Sequence, residues 1–324
     1  MPTVTYLEAI RKGLWEEMER DPDVFLMGED IGRYGGAFKV TAGLLDRFGP
    51  QRVIDTPISE EAIVGAGIGA AVMGMRPVLE MQFMDFISCA FNQIVNYAAK
   101  MHYRWGQAVP LVIRGPSGGG VHGGPFHSQN PEAYFAHTPG LKVVEPATAY
   151  DAKGLVKAAI RDNNPVIFFE HKFLYRRIKE DIPDEDYIVP LGQARIAREG
   201  KDISVISYGA MVHIALEAAT RLMNEGLDLE VVDLRTLYPF DEETVLNSVR
   251  KTSKVILLHE DTRTLGLGAE LAATISEKIF DSLDGPVVRV TAPDSPVPYS
   301  PPLEEQFIPS VEKVMEAVRG LAAY

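Results

Sequence analysis

The stretch 52–83 reads RVIDTPISEEAIVGAGIGAAVMGMRPVLEMQF and determines the fold class. RVIDTPI (52–58) and RPVLEMQF (76–83) are short apolar runs of the kind that form buried strands. EEAIVGAGIGAAVMGM (60–75) lies between them and is long enough for an apolar helix. Glycine weakens an exposed helix, so the glycines of this one predict close packing: Gly65, Gly67 and Gly69. A strand, a helix and a second apolar strand predict a parallel sheet covered on both faces.

The same alternation of strands and helices continues outward in both directions. Thr5-x-x-Glu8 is a capping box that begins an amphipathic helix. Further strands are predicted at 24–30, 109–116, 141–147, 165–171, 203–209, 229–236, 254–261 and 286–293. Further helices are predicted at 85–103, 151–162, 211–225, 241–251, 268–283 and 309–323.

The charged segment 176–200 contains two prolines, lacks helical periodicity and interrupts this alternation. We therefore expect two three-layer α/β domains with mainly parallel sheets, at 1–180 and 201–324, joined by a linker at 181–200.

Composition limits the classes of function. The 324 residues include 32 Lys and Arg and 45 Asp and Glu, a net charge of −13 that argues against nucleic acid and anionic membranes as partners. The longest uncharged apolar run, Ala62–Met75, has 14 residues, short of the roughly 18 that span a bilayer. The single cysteine, Cys89, excludes an intrachain disulfide. The start lacks the apolar core of a signal peptide, so we expect a soluble protein of the cytoplasm or an organelle matrix.

Two tempting motifs carry little weight. His122 and His127 are five residues apart in a glycine loop and have no nearby carboxylate or cysteine to complete a zinc site. GLGAE (266–270) follows a predicted strand and opens a helix, as a dinucleotide-binding turn does, but position 271 is leucine where a third glycine is expected. A tight turn that requires glycine is therefore favoured over a nicotinamide site.

The glycine run GPSGGGVHGG (115–124) leaves a strand and leads to His127. Six glycines in ten residues indicate either a flexible surface loop or a backbone that closely approaches something else. In the second case His127 is a candidate general acid, because imidazole titrates near neutral pH.

Two acidic pairs lie where a parallel sheet binds ligands. Glu29-Asp30 ends one strand, and Glu60-Glu61 follows another strand at the start of a helix. The alternative for the second pair is helix capping, with Ser59 as the cap and the acids complementing the helix dipole. If Glu29 and Glu60 share one apolar pocket, burial and like charge raise the pKa of at least one of them.

Three long segments, 26–83, 115–144 and 151–176, resemble the beta subunits of thiamine-diphosphate-dependent 2-oxo acid dehydrogenases. VVDLRTLYPFD (231–241) and EDTRTLGLGAELAATISE (260–277) extend the resemblance through the second half. These subunits belong to the decarboxylating first component of the pyruvate and branched-chain complexes. The resemblance implies a transketolase-like pyrimidine-binding domain followed by a transketolase C-terminal-like domain.

The resemblance also implies roles for individual residues. Glu60 would hydrogen-bond the pyrimidine nitrogen of thiamine diphosphate, because protonation there favours the tautomer that removes the thiazolium proton. Phe86 would stack on the pyrimidine, and the backbone of Ile58 would line the same pocket. Glu29 matches an acid in a chain of carboxylates that links two cofactors. His127 matches a histidine that protonates the lipoyl sulfur or steadies the 2-oxo acid.

A potassium ion is implied as well, with carbonyls and side chains from five residues as ligands: Leu111, Val112, Ala159, Asp162 and Asn164. RDNNP, in which Asp162 and Asn164 lie, is equally typical of a helix end followed by a turn.

The resemblance implies several partners. The sequence has no GDG motif to hold the diphosphate through magnesium, so an alpha subunit would supply that half of the site in an α2β2 heterotetramer. The chain alone would be inactive. The acidic C-terminal region near Asp294 and Tyr324 would dock the subunit-binding domain of the acyltransferase, whose lipoyl domain accepts the acyl group.

Alternatives remain open at this stage. Branched-chain 2-oxo acids and pyruvate rank nearly equal as substrates, and acetoin cleavage by a close relative is a third possibility. One half of a split transketolase and a non-catalytic scaffold subunit are the competing classes. Retention of Glu60, Phe86 and His127 argues against the scaffold.

Overall fold

The computed structural model describes residues 3–324, which form two compact units. The first unit extends to Ser117 and resumes at Tyr134–Leu191, whereas Gly118–Ala133 and Gly192–Tyr324 form the second. The first two residues of the predicted domain 1–180 lie outside the described residues. The structure differs from the predicted division in that the glycine-rich segment belongs to the second unit, because carboxylates of that unit bind it.

The first unit contains a parallel sheet. Its strands are β1 (Thr3–Thr5), β2 (Val24–Glu29), β3 (Val53–Thr56), β4 (Arg76–Glu80), β5 (Val112–Ser117), β6 (Lys142–Val144), β7 (Val166–His171) and β8 (Lys179–Asp181). The order in the parallel sheet is β6-β7-β5-β4-β2-β3, and β1 pairs with β8 in a separate antiparallel ladder. The α-helices are α1 (Tyr6–Arg20), α2 (Leu44–Phe48), α3 (Glu60–Val72), α4 (Ala99–Trp105), α5 (Glu132–Ala136), which begins in the second unit, and α6 (Ala149–Arg161).

Local sequence signals account for much of this unit. The capping box of α1 is confirmed: Thr5 Oγ1 accepts the Glu8 N–H at 3.2 Å, and the Glu8 carboxylate accepts the Thr5 N–H at 2.8 Å. The central unit β3-α3-β4 is also confirmed, with β2 hydrogen-bonded in parallel between β3 and β4. This register places Glu29 opposite Thr56, so the ends of β2 and β3 lie side by side.

The segment 85–103 is not the single helix that its sequence predicts. It forms a 3₁₀-helix at Met84–Ala90, a π-helix at Gln93–Ala98 and then α4. The Ser88 hydroxyl donates to the Asp85 carbonyl at 3.1 Å, a local bond that competes with the helical pattern.

The glycines of α3 do not all serve close packing. A Cβ on Gly67 would lie 2.6 Å from the side chain of Leu79, so the prediction is right at this position. At Gly69 nothing in the described chain lies within 4 Å, and at Gly65 the nearest atom is 3.9 Å away, so it is wrong at both. The apolar outer face of α3 is open.

The second unit contains a five-stranded sheet. Its strands are β9 (Arg195–Arg198), β10 (Ile203–Ser207), β11 (Leu229–Asp233), β13 (Val255–Thr262) and β14 (Val288–Ala292), with β12 (Thr236–Tyr238) as a short additional strand. The order is β14-β13-β10-β11-β9, parallel except for β9. The α-helices are α7 (Met211–Leu222), α8 (Glu242–Thr252), α9 (Leu267–Ile279), α10 (Pro301–Phe307) and α11 (Val311–Ala322).

The predicted linker 181–200 carries regular structure. It includes the last residue of β8 and all of β9, whose residues pair antiparallel with β11. Charged strands at a sheet edge lack the apolar pattern from which the other strands were predicted. Within residues 3–324, no helix is long and apolar enough to cross a membrane.

Candidate active site

The ends of β2 and β3 are joined by hydrogen bonds from the loop that follows β2. The Asp55 carboxylate accepts the N–H of Gly32 at 2.5 Å and the N–H of Arg33 at 3.2 Å. A Cβ on Gly32 would lie 2.6 Å from Asp55 Oδ2, so only glycine permits this approach. These bonds fix the backbone beyond Glu29, at the edge of the sheet where parallel α/β folds bind ligands.

Glu29 is a buried carboxyl group with an incomplete set of hydrogen bonds. Its side chain is 5% exposed, and its Oε1 has no hydrogen-bond partner among residues 3–324. Burial raises the pKa of Glu29, and the charge of Glu60 raises the pKa further, although the Ser59 N–H opposes the change. The predicted effect of a shared pocket on the pKa is therefore confirmed for Glu29.

Glu60 begins α3 and lines an open hollow of about 410 Å³ together with Ser59, Glu61, Ala62 and Cys89. The Gln93 amide donates to the Glu61 carboxylate at 2.7 Å, which separates the roles of the two adjacent acids. Ser59 occupies the cap position, but its hydroxyl donates to the Pro57 carbonyl at 3.0 Å. The expected Ser59 side-chain cap is therefore absent from the described helix, and the capping interpretation is wrong for this residue.

Ile58 and Phe86 flank this region differently. Ile58 is 83% exposed, an unusual state for isoleucine unless something else covers it. Phe86 is half-buried and packs edge-on against Phe83 at a centroid distance of 6.1 Å. Phe83 in turn contacts Phe38 edge-on at 5.6 Å, so the Phe86 ring belongs to an aromatic cluster of the first unit.

A buried ion network lies behind these residues and was missed by the sequence analysis. The Arg114 guanidinium binds Glu170 through two nitrogens, one at 2.6 Å, and also contacts Glu80. The Tyr175 hydroxyl donates to Glu170 at 2.7 Å. Burial raises the pKa of Glu80 despite the nearby guanidinium. The available signal was one charged residue near the end of each of three apolar strands, β4, β5 and β7.

The glycine run is held in place by two acids of the second unit. Glu260 accepts the Gly119 N–H at 2.5 Å, and Glu304 accepts the N–H groups of Gly120 and His122 at 3.0 and 3.1 Å. His127 follows on the same segment and is half-buried. Of the two interpretations left open, close approach of the backbone is confirmed.

The GLGAE turn is explained by packing. A Cβ on Gly266 would lie 2.4 Å from the Thr262 carbonyl, and a Cβ on Gly268 would lie 2.6 Å from His259 Nε2. His259 is buried, and burial is the main reason that its pKa is lowered to about 4. The glycines therefore make room for a neutral imidazole ring, as the tight-turn interpretation expects.

Comparison with known proteins agrees with this arrangement. Residues 2–177 match the transketolase pyrimidine-binding domain, and residues 192–314 match the transketolase C-terminal domain. The chain is 53% identical to the 2-oxoisovalerate dehydrogenase subunit beta of Bacillus subtilis, with 100% of both chains covered. It is 49% identical to the chloroplastic pyruvate dehydrogenase E1 component subunit beta-2 of Arabidopsis thaliana, covering 97% of this chain and 78% of that one.

The chain belongs to the transketolase-like family of 2-oxo acid dehydrogenase beta subunits. Its members are subunits of oxidoreductases, and the family depends on thiamine diphosphate. The fold agrees too: a split-gene transketolase, solved as an inactive beta4 tetramer, superposes with a TM-score of 0.82 at 25% identity over 99% of this chain and 98% of that one. The predicted family and the two-domain α/β fold class are confirmed.

The potassium site that the beta-subunit resemblance implies stays a prediction. The Asp162 carboxylate accepts two hydrogen bonds from Lys142 Nζ, both at 2.8 Å, and a third from the Asn164 N–H at 2.8 Å. The Leu111 carbonyl accepts the Val166 N–H at 2.9 Å, and the Ala159 carbonyl accepts the Asp162 N–H at 3.3 Å. Lys142 thus places a cation at the Asp162 carboxylate. Residues 3–324 show no cluster of three or more His, Cys, Asp or Glu able to hold a metal ion.

The C-terminal face that this family relationship brings into question is partly committed to the chain's own loops. The Asp294 carboxylate accepts the N–H and the hydroxyl of Thr264 at 2.8 and 2.6 Å. These bonds lower the pKa of Asp294, whose side chain is exposed. Tyr324, at the other end of the proposed region, is exposed as well. Docking of an acyltransferase domain here stays a prediction.

Proposed function

We propose that this chain is the beta subunit of the decarboxylating first component of a 2-oxo acid dehydrogenase complex, with a branched-chain 2-oxo acid as its substrate. The observation that carries the proposal is 53% identity, over the whole of both chains, to a subunit named for 2-oxoisovalerate. Pyruvate is the second candidate, supported by 49% identity to the pyruvate dehydrogenase subunit.

The residues at the start of α3 fit thiamine diphosphate. When bound, this cofactor supplies the carbon nucleophile that attacks the 2-oxo group. The buried Glu29 Oε1, which has no hydrogen-bond partner in the described chain, and the hollow beside Glu60 are the observations that support the fit. Glu60 would hold a proton at the pyrimidine nitrogen, Phe86 would stack on the ring, and the Ile58 backbone would line the pocket.

Glu29 has a distinct part in this proposal. Its raised pKa means that it keeps a proton at a higher pH than an ordinary glutamate does. A protonated neighbour stabilises the charged form of Glu60, because like charges are not then brought together. The pair can therefore hold one proton and pass it between two carboxyl groups.

The remaining parts of the site would come from partners. An alpha subunit would supply the half that holds the diphosphate through magnesium, in an α2β2 heterotetramer. His127 would act on the 2-oxo acid or on the lipoyl domain of the acyltransferase, whose subunit-binding domain would dock near Asp294 and Tyr324. Because Cys89 is the sole cysteine, we propose a reducing compartment, the cytoplasm or an organelle matrix.

The split-transketolase alternative has one specific observation in its favour. The structural neighbour of TM-score 0.82 is a split-gene transketolase. At 25% identity, however, it is far less similar than the dehydrogenase subunits. An acetoin-cleaving enzyme and a scaffold subunit would differ from the proposal in activity.

The testing experiment is native mass spectrometry of the chain purified from its own cells, followed by assays on the complex. We expect a heterotetramer with an alpha subunit that carries a GDG motif and two thiamine diphosphates. That complex should decarboxylate 2-oxoisovalerate faster than pyruvate and acylate a lipoyl domain. Transfer of glycolaldehyde units between sugars, or no activity with any 2-oxo acid, would contradict the proposal.

Substitution of Glu60 tests the site itself. We expect Glu60→Gln to leave the assembly intact and to lower decarboxylation by about 100-fold or more, because an amide cannot supply the proton. Glu61→Gln is the matched control: it removes the same charge one residue away, from a side chain held by Gln93. Near-normal turnover of the Glu60 variant, measured with alpha subunit and cofactor present, would contradict the assignment.

A further inference from the structure

The glycine-rich segment 118–124 turns its backbone N–H groups toward a carboxylate. Glu304, on α10, is 1% exposed and accepts the N–H groups of Gly120 and His122. The His122 ring adds a third bond, with Nδ1 2.6 Å from the carboxylate, and Nδ1 carries the hydrogen because a carboxylate only accepts. Hydrogen bonds to a charged acceptor are roughly twice as strong as neutral ones, so Glu304 is a strong anchor for this segment.

A second carboxylate holds the segment on either side of that anchor. Glu260, near the end of β13, accepts the Gly119 N–H at 2.5 Å and the Asn130 side-chain amide at 3.1 Å. The Gly118 N–H donates to the Gln129 carbonyl at 3.1 Å, which joins the beginning of the segment to the residues that follow His127. The loop is thus closed on itself and tied to two buried acids.

The glycines are required by this arrangement. A Cβ on Gly119 would lie 3.0 Å from Ile308 and 3.2 Å from the Glu260 carboxylate. Gly124 has a φ of +68°, and a Cβ there would lie 2.2 Å from the ring of Tyr299. The six glycines of the run therefore let the backbone approach α10 and the Tyr299 ring closely, instead of giving the loop mobility.

His127 is coupled to the anchored residues by short contacts. Its N–H donates to the Gly124 carbonyl at 3.3 Å. A Cβ on Gly123 would lie 3.0 Å from His127 Cβ and 2.8 Å from Ser128 Oγ, so these residues are packed tightly. A displacement of residues 120–124 would accordingly displace the imidazole.

We propose that Glu304 is a positioning residue that, together with Glu260, holds the glycine loop in the one conformation that presents His127 to the reaction. The proposal rests on the proposed function only for the part His127 takes in catalysis. The anchoring of the loop by Glu304 is independent of which reaction the complex performs.

The experiment compares Glu304→Gln with Glu305→Gln in the purified complex. Glu305 is exposed on the same helix, so its variant removes the same charge without touching the loop. We expect Glu304→Gln to raise amide hydrogen exchange in residues 118–130 by about tenfold or more, because the Gln amide would face N–H donors. Should this variant fail to fold, Glu304→Asp, which keeps the charge but shortens the reach, is expected to give a smaller increase.

Kinetics separate positioning from general damage. We expect Glu304→Gln to lower kcat for lipoyl-domain acylation by about tenfold while the KM for the lipoyl domain changes little. If Glu304 acts through His127, the double variant with His127→Ala should be no slower than His127→Ala alone.

Each contrary result has a distinct meaning. Unchanged exchange in residues 118–130 of Glu304→Gln would overturn the anchoring. Additive losses in the double variant would overturn action through His127. Full activity of His127→Ala would instead contradict the role that the proposed function gives to that histidine, with the exchange result still deciding whether Glu304 anchors the loop.

Discussion

The start of α3 and the glycine loop both contain buried carboxyl groups, but the two regions differ in how fully those groups are bonded. At the start of α3, Glu29 Oε1 has no partner within residues 3–324 and Ile58 is largely exposed. In the loop, Glu260 and Glu304 each accept several hydrogen bonds. The loop is organised by its own chain, whereas the α3 region is left to be completed by something else, as expected for half of an active site.

Loss of a loop carboxylate should have the largest effect on stability. We expect Glu260→Gln to lower the free energy of unfolding by about 3 kcal/mol, because the bonds from Gly119 and Asn130 lose a charged acceptor. Urea unfolding of the purified chain measures this. A variant as stable as the parent would show that the loop bonds are not the source of its order.

The two faces of α3 offer a matched pair. Gly67→Ala should destabilise the chain by about 2 kcal/mol, because its Cβ would meet Leu79. Gly69→Ala, on the open face, should stabilise it by about 1 kcal/mol through helix propensity. Thermal unfolding of both variants measures the difference, and equal effects would mean that the outer face is covered in the free chain.

Glu29→Gln should give a smaller change of the opposite sign to Glu260→Gln. The raised pKa means that the folded chain binds this proton more tightly than the unfolded chain does. The parent therefore loses stability as the pH rises from the usual glutamate pKa of 4.5 through the raised value, and the amide does not. We expect the variant to gain stability relative to the parent across that interval, as followed by urea unfolding at a series of pH values. A loss at high pH would show that the charged carboxylate is stabilising.

Much of the fold follows from local patterns, because apolar strands and a capping box are written in neighbouring residues. Glu29 and Glu60 could also be placed at strand ends, since parallel strands end on one edge. The Arg114 network could not be predicted without the strand order β7-β5-β4, which brings Glu170 and Glu80 to either side of it. The anchors of the glycine loop lie 141 and 184 residues beyond it, a separation that no periodicity reports.

The route of the chain between the two units constrains how the protein can be divided. Residues 118–133 belong to the second unit although residues on either side belong to the first. A fragment cut in the charged segment near residue 180 would keep the glycine loop and lose both acids that hold it. Exchange of C-terminal halves between related subunits would likewise pair each loop with foreign anchors, so the loop and α10 have to be inherited together.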